Sequence, residues 1–231
     1  MIVLGIETAT TICSVGIANE ERLLAETWFG IKNIHDRVLR DGIAYLTEQI
    51  KTPLNEIEAI AVSAGPGSFT GLRIGMAVAK GLAFAQHKPL IAIGTLVAQA
   101  YAAQAFTRGK DEMIVPLIRS RKGEVYSAKF RCGNEFPVQV TPEQVKEIAS
   151  VPAWLHEPAV ICGDGIVMLR AEGTLQSLQH CFVVPEGSAR LSGGAVARLA
   201  QIKLARGETT TAEALAPLYV QDFETGATRK I

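Results

Sequence analysis

The sequence predicts an α/β protein built from two related lobes, and three observations carry that prediction. Apolar runs of strand length alternate with stretches whose apolar residues recur at helical spacing. The segment Thr107-Arg108-Gly109-Lys110-Asp111 is polar and charged between two apolar stretches, as expected of a lobe boundary. Beyond it the pattern restarts: a shift of 112 positions sets residues 114–130 on residues 2–18, strand on strand and polar turn on polar turn.

Taken in order, residues 2–6 read as a buried strand and 7–11 as a polar turn. Residues 12–18 and 22–29 read as the second and third strands of an antiparallel meander. Val38, Leu39, Ile43, Leu46 and Ile50 then recur at helical spacing, which predicts an amphipathic helix over 35–50 that ends before Pro53. A strand over 58–63, a glycine-rich helix after Ser68, a strand over 89–93 and an alanine-rich helix over 96–106 complete the order βββαβαβα, which mixes an antiparallel edge with parallel crossovers. In the second half the same reading places strands over 114–118, 136–140 and 159–162, a helix over 142–150, and a last helix over 194–206 stopped by Gly207. The expected lobes are residues 1–106, a docking lobe, and 107–231, a smaller and degenerate one. The last helix is expected to pack back on the first lobe.

The chain is organised around residues 63–84, SAGPGSFTGLRIGMAVAKGLAF. Gly65 and Gly67 flank Pro66 where a strand must turn sharply into a helix, and Ser68 is a natural N-cap. Ile74, Val78, Leu82 and Ala85 predict a core-facing stripe. Gly71, Gly75 and Ala79 lie four residues apart and leave a second face almost bare. Glycine in a helix interior costs about 1 kcal/mol relative to alanine, so two on one face call for a reason: close packing inside the fold, or a partner's helix. The turn is a poor phosphate cradle, because no Lys follows the glycines and the dinucleotide spacing is missing.

Of the 231 residues, 48% are hydrophobic and 20% charged, the composition of a globular protein with a sizeable core. Lys+Arg and Asp+Glu are both 23, so no global field draws the chain to nucleic acid or an anionic membrane. The opening MIVLGI reaches Glu7 after six residues with no basic segment before it, unlike a signal peptide or a membrane span, and a cytoplasmic protein is expected. Cys13, Cys132, Cys162 and Cys181 are scattered without a Cys-x-x-Cys pair, which favours free thiols over zinc or disulfide roles.

Duplicated folds of this order resemble the actin, Hsp70 and sugar-kinase group, whose phosphoryl-transfer sites hold a divalent cation through carboxylates at strand ends. Here only Glu7 stands at such a place. Its counterpart is Arg119, and the other strand end is Ser63. A helix-borne metal pair would need a second histidine four residues after His35, where Leu39 stands. No metal or other cofactor is expected.

LGIETATTICSVGI, His35 in HDRVL, SAGPGSFTGLRIGMAVAKGLA, RKGEVYSA (121–128) and APLYV (216–220) together resemble the TsaB family, also called YeaZ, across nearly the whole chain. The resemblance implies a non-catalytic partner of TsaD in forming N6-threonylcarbamoyladenosine beside the anticodon of tRNAs. It also implies the ATPase TsaE as a third component and tRNA reached indirectly through the complex, and it leaves open whether the chain alone is a homodimer or a monomer. It places the docking surface on the first two helices, with His35, Val38, Leu39, Ile43, Leu46, Gly71, Gly75 and Ala79. Arg119, Ser120 and Arg40 depart from the family pattern. The competing readings are a small-molecule phosphotransferase that uses the interlobe cleft and, less in keeping with the missing histidine pair, a metallopeptidase.

Overall fold

The computed structural model describes residues 1–31, 35–109 and 111–220, and of His35 and Asp36 the backbone only. The first lobe is a five-stranded sheet. β1 (Val3–Glu7), β2 (Cys13–Ala18) and β3 (Leu23–Phe29) form the meander, and β4 (Ala59–Ser63) and β5 (Leu90–Ile93) add in parallel, for the order β3-β2-β1-β4-β5. α1 (His35–Gln49) and α2 (Phe69–Gln86) cover one face of this sheet, and α3 (Thr95–Ala103) belongs to the core on the other.

The second sheet repeats the first. β6 (Met113–Arg119) is its centre, β7 (Glu124–Ser127) pairs with it antiparallel, and β11 (Ala159–Cys162) pairs with it in parallel. With β10 (Gln144–Glu147) outside β7 and β12 (Phe182–Val183) outside β11, the order β10-β7-β6-β11-β12 matches that of the first sheet position for position. A short hairpin, β8 (Phe130–Arg131) with β9 (Val138–Gln139), branches from β6.

The helices of this half are α4 (Val151–Trp154), α5 (Ile166–Ala171) and α6 (Gly193–Ala205). α3 and α6 share one hydrophobic core with the facing sides of both sheets, including Val3, Ile91, Leu96, Ile114, Val160 and Val196. α5 and the segment around Ile148 and Leu155 cover the outer face of the second sheet. The layers therefore run α1/α2, sheet, α3/α6, sheet, α4/α5.

One expected element is corrected. The predicted helix over 142–150 is absent; residues 144–147 form β10, pairing Gln144 with Ser127 and Glu147 with Glu124. Tertiary pairing on an open sheet edge overrides the helical spacing of PEQVKEIAS. The third strand of the second repeat is thus β10, and the run over 136–140 belongs to the added hairpin.

Candidate functional site

The cleft between the lobes begins at the β1–β2 turn. Glu7 ends β1 fully buried, and its Oε1 accepts a hydrogen bond from the Ala9 amide at 2.5 Å. The Thr8 amide donates to Ser63 Oγ, at the end of β4, at 3.4 Å. Burial pushes the Glu7 carboxyl up to about 7, against the pull of that amide and of Ser63. Glu7 Oε2 and Thr8 Oγ1 have no hydrogen-bond partner among the described residues.

The glycine-rich turn is tied down from three sides. The Ser68 amide donates to Ala9 O, the Thr95 amide to Gly65 O, and the Leu218 amide to Ala64 O, each at 2.7 Å. Gly65 has φ +109°, where a side chain is strained, and a Cβ there would meet Leu218 O at 2.7 Å. Ser68 caps α2, its Oγ accepting from the Gly71 amide at 3.2 Å.

Across the cleft, the second repeat presents Arg119 where the first has Glu7. The Arg119 amide donates to Asp164 Oδ1 at 2.9 Å and its Nε to Oδ2 at 3.3 Å, which clamps the guanidinium over the turn after β11. Two cavities meet here, of about 340 and 850 Å³, and both are lined by Thr10, Thr11, Arg119 and Asp164. The smaller continues toward Trp28, whose ring lies 4.0 Å from the Arg190 guanidinium; the larger opens on Ser68, Phe69 and Lys122. A divalent cation bridging phosphates does not fit these residues: Glu7 is buried and largely protonated below about pH 7, its counterpart Arg119 is a cation, and the Asp164 carboxylate is already bonded by Arg119. No group of three His, Cys, Asp or Glu able to hold a metal occurs among the described residues. Glu143, whose carboxyl burial also lifts to about 7, carried no signal in the sequence. Nor did the Arg119–Asp164 pair, whose members stand 45 positions apart.

The helix faces differ from expectation. Gly71, Gly75 and Ala79 point inward: a Cβ on Gly71 would stand 2.1 Å from Thr8 O, one on Gly75 would stand 2.2 Å from Thr8 Oγ1, and Ala79 is buried. The bare stripe is therefore a close contact between α2 and the β1–β2 turn, and those residues offer nothing to a partner. The stripe expected to face the core, Ile74, Val78 and Leu82, is only half-buried, and Ala85 is exposed. On α1, Leu39, Ile43 and Leu46 are core residues and Val38 is half-buried; the side chain of His35 lies outside the described residues. The exposed residues of α2 include Arg73, Ala77, Gly81, Phe84 and Ala85, and those of α1 include Ala44 and Tyr45 among the charged Arg37, Arg40, Asp41 and Glu48. Phe84 is 83% exposed and Tyr45 57%, while a Cβ on Gly81 would meet nothing within 4 Å. An open small-residue row therefore exists, two positions along from the one the sequence suggested.

No helix among the described residues is long and apolar enough to cross a membrane. Cys13 and Cys162 are buried free thiols, and desolvation raises the Cys13 thiol to about 12.

Comparison with known proteins agrees with the architecture. The chain is 34% identical to the Escherichia coli tRNA threonylcarbamoyladenosine biosynthesis protein TsaB over 154 residues, 64% of this chain and 65% of that protein, so the match spans just under two thirds of the relative. Among solved structures, YeaZ from Pseudomonas aeruginosa superposes with a TM-score of 0.78 at 27% identity, covering 94% of this chain and 99% of that one. The Arthrobacter polyphosphate/ATP-glucomannokinase, at 16% identity and a TM-score of 0.51 over 89% of this chain and 99% of that one, shares the fold alone, which is the actin-like sugar-kinase architecture. Residues 31–222 match the family model described as TsaD, tRNA N6-adenosine threonylcarbamoyltransferase, and with the TsaB and YeaZ matches this places the chain in that family, in its TsaB (YeaZ) branch.

Proposed function

We propose that this protein is a non-catalytic subunit that binds a TsaD-type threonylcarbamoyltransferase and supports formation of N6-threonylcarbamoyladenosine next to the anticodon of tRNAs. The observation that carries the reading is the exposed surface of α1 and α2, where Tyr45 and Phe84 stand out to solvent and α2 keeps an open row of small residues, Ala77, Gly81 and Ala85, that lets a helix approach. Exposed aromatic anchors beside a bare backbone suit helix-on-helix docking, because the rings supply buried area and the glycine permits an interaxial distance below the usual 8–10 Å. The cleft supports the non-catalytic half of the reading: its strand ends offer a buried carboxyl that titrates near 7 and a clamped arginine rather than opposed carboxylates.

In this reading the first lobe, residues 1–106, is the docking lobe, and the rest of the chain supports it. The ATPase TsaE joins the pair, tRNA is reached through the complex in the cytoplasm, and a second copy of this chain covers the same face when TsaD is absent. The test is titration calorimetry of the purified chain with TsaD of the same organism, in parallel with ATP and magnesium. Saturable binding to TsaD without ATP turnover by the isolated chain is expected. Turnover of ATP by the chain alone, or no association with TsaD, would overturn the proposal.

A further inference from the structure

Residues 208–220, which leave α6 and include APLYV, do not return to the second lobe. The Thr210 amide donates to Leu90 O at 2.8 Å, so the segment joins the free edge of β5. One helical turn follows, with the Leu215 amide donating to Thr211 O at 3.0 Å, and Leu215 is buried in the core beneath α1 and α2. The segment has then passed from the α6 side of the first sheet, round its β5 edge, to the α1/α2 side. There the Leu218 amide bonds Ala64 O, and Leu218 O lies against Gly65. The Tyr219 ring comes 5.6 Å from the ring of Phe69, the first residue of α2, and the Arg73 guanidinium lies 3.6 Å from the Phe69 centroid.

Why α2 needs such a contact follows from its underside. Side chains that interdigitate fix a helix along its axis. The first half of α2 meets the β1–β2 turn through Gly71 and Gly75, which present no side chains to interlock there, so on this underside only Leu72 and Met76 are large buried side chains. The Ser68 cap holds the backbone end of the helix but does not grip its flank. Phe69 is the first large side chain of the helix, and Tyr219 packs against it from a part of the chain 150 positions away.

We propose that residues 208–220 are a brace that sets the position of α2, with Tyr219 and the Leu218 amide as positioning groups for partner docking. This rests on the docking reading above, since α2 carries the exposed Arg73, Ala77, Gly81 and Phe84. Without the brace the first turn of α2 frays, and Arg73 and Ala77 lose their fixed relation to Tyr45 on α1. The partner must then pay for reordering the helix, and affinity falls although no contact residue has changed.

The experiment compares the full chain with Tyr219→Ala, Leu218→Pro, Tyr219→Phe and Gly81→Leu, by hydrogen exchange and by affinity for TsaD of the same organism. In Tyr219→Ala and Leu218→Pro, exchange at the Gly71 and Leu72 amides should accelerate at least ten-fold while β1 and β2 amides keep their rates, and the Kd for TsaD should rise five- to twenty-fold. Tyr219→Phe keeps the ring against Phe69 and should stay much closer to the parent than Tyr219→Ala in both. Gly81→Leu should weaken TsaD binding with exchange at Gly71 and Leu72 unchanged. Unaltered exchange at those amides in Tyr219→Ala and Leu218→Pro overturns the brace. Faster exchange with unaltered affinity overturns its role in docking, and Gly81→Leu then decides the wider reading: weakened binding keeps α2 as the docking helix, and unchanged binding removes it.

Discussion

α2 and α6 lie on opposite faces of the first sheet, both carry glycines near a serine cap, and they use them differently. α6 opens with Gly193 and Gly194 against Gly5 and Gly16 of β1 and β2; a Cβ on Gly16 would lie 2.2 Å from the Gly194 amide nitrogen. Its first amides are taken by the sheet, Gly193 donating to Ser14 Oγ at 3.0 Å and Gly194 to Glu26 Oε1 at 2.7 Å. Eight of its 13 residues are buried between the two sheets. α2 is buried on one side only, where its glycines meet Thr8, and its other side keeps a second row of small residues open. A glycine row by itself therefore says that a close neighbour is needed. Which neighbour is decided by what the sheet places opposite.

The largest effect is expected where two backbones touch. Gly16→Ala puts a methyl group into the Gly194 backbone, which cannot rotate away, so either α6 lifts or the sheet bends. Overpacking typically costs 1–3 kcal/mol and occasionally more. With no flexible side chain to yield, a loss of about 3 kcal/mol or more is expected, seen as a fall of roughly 6–12 °C in Tm or as failure to accumulate folded protein. A Tm within about 2 °C of the parent would mean that the α6 contact is looser than the geometry states.

The next effect probes the turn that α2 sits on. The Glu7 carboxyl, fully buried, titrates near 7 instead of its ordinary 4.5, so the folded state holds its proton more tightly than the unfolded state. The resulting stability is fully present below about pH 4.5 and is lost as pH rises toward 7. At pH 8 the parent carries a penalty of no more than about 3 kcal/mol that Glu7→Gln should relieve, while near pH 4.5 the two should melt alike. Glu143, raised to the same range by burial, changes parent and variant equally and cancels in the difference. Since Glu7 has no assigned catalytic part, modification by the assembled complex should stay within a few-fold. A thousand-fold loss, equivalent to roughly 4 kcal/mol of transition-state stabilisation, would restore catalysis to the cleft.

Much of this was legible in the sequence because it is local. The strand before the glycines, the Ser68 cap and the lengths of α1, α2 and α6 follow from spacing and turn chemistry over a few residues. The repeat was legible because two sheets of the same order share one spacing of strands and turns. The inward side of α2 was not. Glycine, alanine and branched aliphatic residues run nearly all round it, with no polar stripe to mark the outside, so Gly71/Gly75/Ala79 and Ala77/Gly81/Ala85 looked alike until Thr8 was placed. β10 was misread because its pairing with β7 is non-local, and the course of residues 208–220 went unread because an irregular segment has no period. The cleft's Arg119–Asp164 clamp joins two turns that only the folded sheet brings together.

On α2 itself, Gly75→Leu tests the inner face. Four carbons would enter beside Thr8, whose hydroxyl lies 2.2 Å from the position a Cβ would take. Thr8 is fully buried, so its side chain has little room to turn aside. A loss of about 1–3 kcal/mol, or roughly 2–12 °C in Tm, is expected from the isolated chain with no partner present. If Gly75→Leu melted with the parent while losing TsaD, the inner row would be a docking surface after all and the comparison would reverse.

The smallest change in stability belongs to the outer row, and it is the most informative about function. Gly81 is exposed and a Cβ there meets nothing, so leucine finds open solvent in the isolated chain. Replacing a helical glycine also removes conformational freedom from the unfolded state, which favours the folded helix by up to about 1 kcal/mol. Tm should therefore stay level or rise by a few degrees. Under the proposed docking, binding should respond in the opposite sense, because the same four carbons would sit where the proposal brings the backbones of α2 and a partner helix closest. An overpacked contact of 1–3 kcal/mol corresponds to about a ten- to hundred-fold weaker association with TsaD. Calorimetric melting and binding on one preparation give both numbers. Lower Tm with binding intact would show that Gly81 is sealed inside the fold. Both unchanged would move the docking surface off α2 and onto another part of the first lobe.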